Sequence, residues 1–362
     1  MGFDAALKAH LQRLYPGHEI VAVEPLAPDT GATKGSTAKA AGYGLPVRIR
    51  LAEPGGAELE LVWHVASANE FGHDRRADRA AAAFQSFDDF QLIPRHVQPV
   101  DLGVIARDGA LRSVRDADEM YVITTFARGT IYADDLRAIA AAGRVGPRDL
   151  ARLDTLAAYL AELHTPLPEP AHRYRRAIRD LVGSGEGIFG IVDGYPDDVP
   201  GASASRLRAI EERCATWRWR LRDHEPRLVR THGDFHPFNI VFADDTELAL
   251  LDASRGACGD AVDDLTALAV NFVLFALGAP GAWDEGLGVL WRRWWAGYLS
   301  LRDDPALLAV APPFFAWRAL VVANPRFYPQ LGGRERDRLL ALAETFLDEE
   351  VLTPERAEEV FP

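Results

Sequence analysis

The reactive side chains of this chain concentrate in Thr231-His232-Gly233-Asp234-Phe235-His236-Pro237-Phe238-Asn239, and Asp252 follows thirteen residues after Asn239. An aspartate, an asparagine five residues on and a second aspartate after a short hairpin supply what phosphoryl transfer from a nucleotide needs. Asp234 is the candidate base, a carboxylate that faces the accepting hydroxyl. The Asn239 amide and the Asp252 carboxylate offer hard oxygen ligands, which suit Mg2+ on the phosphates. Residues 240–243 and 247–251 flank Asp244-Asp245-Thr246 as a hairpin, and that hairpin returns Asp252 beside Asn239. Singly, each residue has a plainer reading: a solvated loop aspartate, a turn asparagine, a strand-end cap. Their joint spacing favours the chemical one.

A rival chemistry uses the same loop. His232, Asp234 and His236 form a His-x-Asp-x-His set that suits a transition metal such as zinc in a hydrolase. That reading leaves Asn239 and Asp252 without roles. His232 is otherwise expected to buttress the loop, and His236 to shape a pocket or face solvent.

These residues must be held by elements on either side. Residues 45–51 alternate apolar and basic side chains, Pro54-Gly55-Gly56 turns, and residues 58–65 alternate again, so the pair reads as a hairpin. A helix is expected over residues 74–87, with Ala77, Ala80, Ala81 and Phe84 inward. Residues 97–105 and 120–126 read as further strands. After Gly129 the pattern turns helical: residues 150–163, 203–223, 263–277, 287–299, 306–322 and 334–351. The expected architecture is therefore α+β, with a mainly β N-terminal lobe over residues 1–125 and a larger, mainly helical lobe over 126–362. Two unequal lobes place a small-molecule cleft between them.

At 362 residues and 48% hydrophobic, the chain can bury a sizeable core. Its net charge of −13 argues against nucleic acid and anionic membranes as partners. Cys214 and Cys258 lack metal-ligand spacing and are expected as reduced thiols. The N-terminus lacks the pattern of a signal peptide. The longest apolar stretch, residues 267–277, is too short to span a bilayer, so a cytoplasmic location is expected. The three lysines, Lys8, Lys34 and Lys39, all precede residue 40, so lysine chemistry is confined there.

The segment His232-Gly233-Asp234-Phe235-His236-Pro237-Phe238-Asn239 resembles the signature of the aminoglycoside phosphotransferase family. Asp252 falls where that family has its second magnesium-binding aspartate, within Leu250-Leu251-Asp252-Ala253-Ser254. Gly259-Asp260-Ala261-Val262-Asp263-Asp264-Leu265 and Leu160-Ala161-Glu162-Leu163-His164 resemble two further family segments. The resemblance implies a two-lobed protein-kinase-like fold, with ATP and Mg2+ as cofactors and a small-molecule hydroxyl acceptor, cationic or sugar-like. It further implies that residues 122–129 connect the lobes and that backbone groups from Thr124 to Phe126 bind adenine.

The N-terminal lobe departs from the family, which places a lysine on its third strand, paired with a helical glutamate. Here Leu61-Val62-Trp63-His64-Val65 has no lysine, and the next helix offers Asp74 and Asp78. Lys34 or Lys39, in a Gly/Ser/Thr-rich run, is one candidate for the phosphates, with Asp78 as its partner. His64 or Arg50 is another. A third reading is a nucleotide-binding protein without turnover. Asp260, Asp263 and Asp264 could face a cationic acceptor, but Asp263 or Asp264 is expected to cap the following helix. Trp291, Trp294, Trp295 and Tyr298 recur at helical spacing and are expected in the core.

Overall fold

The computed structural model describes residues 3–25, 46–253 and 256–361, and the chain divides into two compact units, Met1–Thr124 and Thr125–Pro362. Lys34 and Lys39 lie outside the described residues.

In the first unit, helix α1 (Phe3–Leu14) precedes an antiparallel sheet of β1 (Glu19–Pro25), β2 (Val47–Ala52) and β3 (Glu58–Trp63). The expected hairpin forms, with Val47 opposite Trp63 and Ala52 opposite Glu58. Alternate residues of a pleated strand share a face. In β2 those residues are Ile49 and Leu51, buried with Ala6, Leu7 and Leu11 of α1. Helix α2 (Arg76–Phe90) and a hairpin of β4 (Gly103–Ile105) and β5 (Leu111–Ser113) complete the unit.

Two expectations for this unit are not met. Ala77, Ala80, Ala81 and Phe84 form no inward face, because α2 buries none of its residues. Helix α1 already packs on Ile49 and Leu51. Residues 120–126 form no strand, and Met120, Tyr121, Val122, Ile123 and Phe126 are all exposed. A strand exists only as a member of a ladder, and no described strand pairs with this segment.

The second unit opens on β6 (Thr130–Ile131) and continues with α3 (Tyr132–Ala142), α4 (Pro147–Leu163), α5 (Pro170–Gly183), α6 (Ile188–Asp193) and α7 (Ala204–Leu221). A short strand region follows: β7 (Leu228–Val229), β8 (Ile240–Phe242), β9 (Leu248–Leu250) and β10 (Gly259–Asp260). The rest is helical: α8 (Ala261–Gly278), α9 (Leu287–Leu301), α10 (Leu307–Val310), α11 (Pro312–Ala323) and α12 (Gly333–Glu349).

Local chemistry sets these boundaries. Pro147 occupies the first turn of α4, and the Ser203 hydroxyl caps α7 by accepting the Arg206 N–H. The helix expected over 306–322 breaks into α10 and α11 at Pro312-Pro313, since proline lacks an N–H and restricts the residue before it. Helix α8 runs longer than its apolar stretch suggested. It is long and apolar enough to cross a membrane, but most of it is buried inside the second unit. It packs against α3, α9, α11 and α12. Trp291, Trp294, Trp295 and Tyr298 are buried in the same core, as expected, and both cysteines are free thiols.

The β8–β9 hairpin pairs Ile240 with Leu250 and Phe242 with Leu248. The Asp244 carboxylate closes its turn, accepting the N–H groups of Thr246 at 2.8 Å and Glu247 at 2.6 Å. On the other side β6 pairs with β8. Gly129, at φ 143°, makes that approach possible, because a Cβ there would collide with the Phe242 carbonyl.

Candidate active site

The loop between β7 and β8 carries Asp234 and ends at Asn239, immediately before β8. The hairpin brings the chain back so that the Leu251 N–H donates to the Asn239 carbonyl at 2.9 Å. Buried Asn239 turns its amide N–H toward three acceptors: the Asp234 carbonyl at 3.1 Å, Asp234 Oδ2 at 3.4 Å and the Asp252 carbonyl at 3.5 Å. Sequence reasoning placed Asp234, Asn239 and Asp252 together, and the structure does bring them together. Asp252 is exposed and stands at φ 42°, a left-handed conformation that aspartate tolerates better than most residues. None of the described hydrogen bonds involves its carboxylate.

Asp264 anchors the loop from below. Its two oxygens accept the His232 and Gly233 N–H groups, each at 2.8 Å. Its Oδ2 also lies 3.2 Å from His164 Nε2, and Tyr298 Oη sits 2.7 Å from His164 Nδ1. Burial alone would raise the Asp264 pKa, but these hydrogen bonds and the His164 charge hold it below the usual carboxylate range. Three of the segments that carry the family resemblance therefore meet at one buried carboxylate.

Asp263 and Asp264 do not cap α8 as expected. The cap is Asp260, which accepts the Val262 N–H at 3.2 Å. Asp260 also takes two bonds from Arg227, at 2.7 and 2.8 Å, and one from the Tyr174 hydroxyl at 2.8 Å. With the helix starting one residue after Asp260, Asp264 points into the loop.

The residue that sequence reasoning missed is Arg318 of α11. Its guanidinium donates to Asp234 Oδ1 at 2.8 Å, Asp263 Oδ1 at 2.9 Å and the Gly233 carbonyl at 3.0 Å. It also lies 3.8 Å from the centre of the Trp317 ring. A signal existed: Arg318 is the lone charge in Pro-Pro-Phe-Phe-Ala-Trp-Arg-Ala-Leu-Val-Val-Ala. A charge in a buried apolar helix requires a partner.

Asp234 is partly buried, which would raise its pKa. The hydrogen bond from His236 and the charge of Arg318 outweigh that effect and hold the carboxyl well below the usual range. His236 Nδ1 accepts the Phe238 N–H at 3.2 Å, so its proton sits on Nε2, 3.4 Å from Asp234 Oδ2. His232 Nδ1 accepts the Asp234 N–H at 3.3 Å, the buttressing role expected of it. Among the described residues, no three His, Cys, Asp or Glu side chains gather to hold a metal ion, so the His232/Asp234/His236 zinc set does not form.

The hard oxygens of Asn239 and Asp252 fit Mg2+. Turning the Asn239 N–H groups toward carbonyl and carboxylate acceptors leaves its amide oxygen for a cation. Of the nucleotide-side candidates, His64 is exposed just past β3, and Thr124 and Phe126 are exposed at the boundary of the two units. Asp78 caps α2, accepting the Arg75 N–H at 2.8 Å.

A family model described as the phosphotransferase enzyme family matches residues 73–303. The chain belongs to the phosphotransferase enzyme family. The α+β, two-lobed, protein-kinase-like fold class of this phosphotransferase follows from that membership. Among solved structures, it is similar to a glucosamine kinase at 21% identity and a TM-score of 0.38, with 63% of this chain and 60% of that one covered. It is also similar to a choline kinase from Streptococcus pneumoniae at 12% identity and a TM-score of 0.34, covering 96% of this chain and 99% of that one. An aminoglycoside phosphotransferase from Streptomyces rimosus matches at 17% identity and a TM-score of 0.34, covering 85% and 96%. The chain spans less than two thirds of the two glucosamine kinase structures it matches first, at 60% and 61% of their lengths. A search of curated proteins found no match.

Proposed function

We propose that this phosphotransferase moves the γ-phosphoryl group of ATP to a hydroxyl group of a small molecule. The observation that carries this reading is the convergence of Asp234, Asn239 and Asp252 through one amide, within 3.1–3.5 Å. Asp234 positions the acceptor hydroxyl and receives its proton as the new P–O bond forms and the bond from the γ-phosphorus to the β–γ bridging oxygen breaks, releasing ADP. A strongly acidic carboxylate suits this role, because the transferred group passes through a loose transition state that asks little base strength of the enzyme. Asn239 and Asp252 would hold Mg2+, which neutralises charge on the phosphates when bound. Residues 1–125 would form the nucleotide lobe and 126–362 the catalytic and acceptor lobe. Thr124 and Phe126 would meet adenine, and Lys34, Lys39 or His64 the phosphates.

The acceptor is read as neutral and sugar-like rather than cationic. The three aspartates expected to face a cation are each engaged: Asp260 by Arg227, Asp263 by Arg318, Asp264 by His164. One observation favours a second reading, a nucleotide binder without turnover: Leu61-Val62-Trp63-His64 carries no lysine. A screen of hydroxylated metabolites and antibiotics for acceptor-dependent ADP production separates the two. Transfer that is lost in Asp234→Ala supports the kinase. Nucleotide binding without transfer to any acceptor supports the rival.

A further inference from the structure

We propose that Arg318 is a positioning residue for phosphoryl transfer, clamping the Asp234 carboxylate and the Gly233 carbonyl in the orientation that receives the acceptor hydroxyl. This rests on the reading of Asp234 given above. Four observations carry it.

The first is where the donors point. Both terminal nitrogens of Arg318 are spent on the loop and on Asp263, with bonds of 2.8 to 3.0 Å. Its Nε is buried and makes no hydrogen bond among the described residues. The fork is therefore aimed at the carboxylates at the cost of one of its own donors.

The second is the division of Asp234. Oδ1 is held by Arg318, while Oδ2 faces His236 Nε2 and the Asn239 amide at 3.4 Å each. With a donor on each oxygen, rotation of the carboxylate is blocked. Oδ1, with one donor, keeps a lone pair for an acceptor hydroxyl.

The third is the backbone. Gly233 stands at φ 85°. Its N–H is bound by Asp264 and its carbonyl by Arg318, so the peptides on both sides of the glycine are fixed just before Asp234.

The fourth is burial. The Arg318 side chain is 6% exposed and lies over the Trp317 ring. A guanidinium so enclosed has little room to move. It is also out of reach of solvent competition, which makes each charged bond stronger.

A residue that only packed α11 onto α8 would need the Asp263 bond and nothing more. The bonds to Asp234 and Gly233 reach the reacting group itself.

The test measures steady-state transfer and nucleotide affinity in Arg318→Met, Arg318→Gln and Arg318→Lys, with thermal melts for folding and Asp234→Asn as reference. Displacement of a reacting group by about 1 Å costs about a hundredfold in rate, so kcat in the two neutral variants should fall by about that factor. Nucleotide affinity should stay within about threefold, since no bond of Arg318 reaches the proposed metal ligands directly. Arg318→Lys should recover part of kcat, because it restores the charge without the planar fork. A folded neutral variant with wild-type kcat overturns the inference, as does a lysine variant no faster than the neutral ones. Either result leaves the kinase reading standing, provided Asp234→Asn is inactive. Full activity in Asp234→Asn sinks the kinase reading itself.

Discussion

His164 Nε2 lies 3.2 Å from Asp264 Oδ2, and neither side chain is exposed. One residue ends α4 and the other lies in the first turn of α8. The same carboxylate holds two successive peptides of the loop that carries Asp234, so the two helices and the loop share one joint. Asp264→Ala should destabilise the protein by about 3–5 kcal/mol, because it strands a buried imidazole and two buried N–H groups. Urea unfolding measures this. A loss below about 1 kcal/mol would mean that the joint is not structural.

The same group makes a pH prediction. The folded pKa of Asp264 is held below its ordinary value. Its contribution is therefore fully present above the unfolded pKa of about 3.9 and is lost as pH falls through the lower, folded value. Wild-type stability should decline on acidification below about pH 4, and Asp264→Asn should flatten that decline. Equilibrium unfolding between about pH 2.5 and 6 compares the two slopes, and identical slopes would count against the assignment.

Asp234→Ala should lower acceptor-dependent ADP formation by about 10²–10⁴-fold while leaving ATP binding nearly intact. Turnover and a direct binding measurement on the same sample decide it. Parallel loss of both would place Asp234 in nucleotide binding instead.

Asn239→Ala and Asp252→Ala should raise the Mg2+ concentration needed for half-maximal turnover. A Mg2+ titration of ADP release reads this directly. Unchanged Mg2+ dependence in Asp252→Ala would defeat the magnesium assignment.

On the nucleotide side, Lys34→Ala and Lys39→Ala are to be compared with His64→Ala for ATP affinity. At least one lysine variant is expected to weaken binding. No effect from either would remove the lysine substitution and leave His64 or Arg50 to carry the charge.

The catalytic half was legible because its signals are local. The loop motif, the two apolar runs of residues 240–251 and the turn at Asp244 all act within a few residues of one another. Which of Asp260, Asp263 and Asp264 would cap was not legible. That depends on where α8 starts, and a shift of three residues carries an aspartate from cap to core. Helix α5 escaped notice because its polar face, with Arg173, Arg175 and Arg176, masks the buried Tyr174, Ile178 and Leu181. Arg318 was hidden by distance, since its partner Asp234 is 84 residues away. The exposed segment 120–126 failed as a strand for the opposite reason, that its apolar pattern has no partner strand among the described residues.

The proline break between α10 and α11 has a bearing on chain length. An α-helix turns about 100° per residue, so one residue added or removed between Pro313 and Arg318 would swing the guanidinium a quarter-turn or more off Asp234. Insertions in the partly exposed segment 302–306, ahead of α10, can be absorbed there, whereas those after Pro313 cannot. The permitted sites of length variation in homologues should therefore stop short of that dipeptide, which makes the reading frame of a single helix a record of the selection on its one charge.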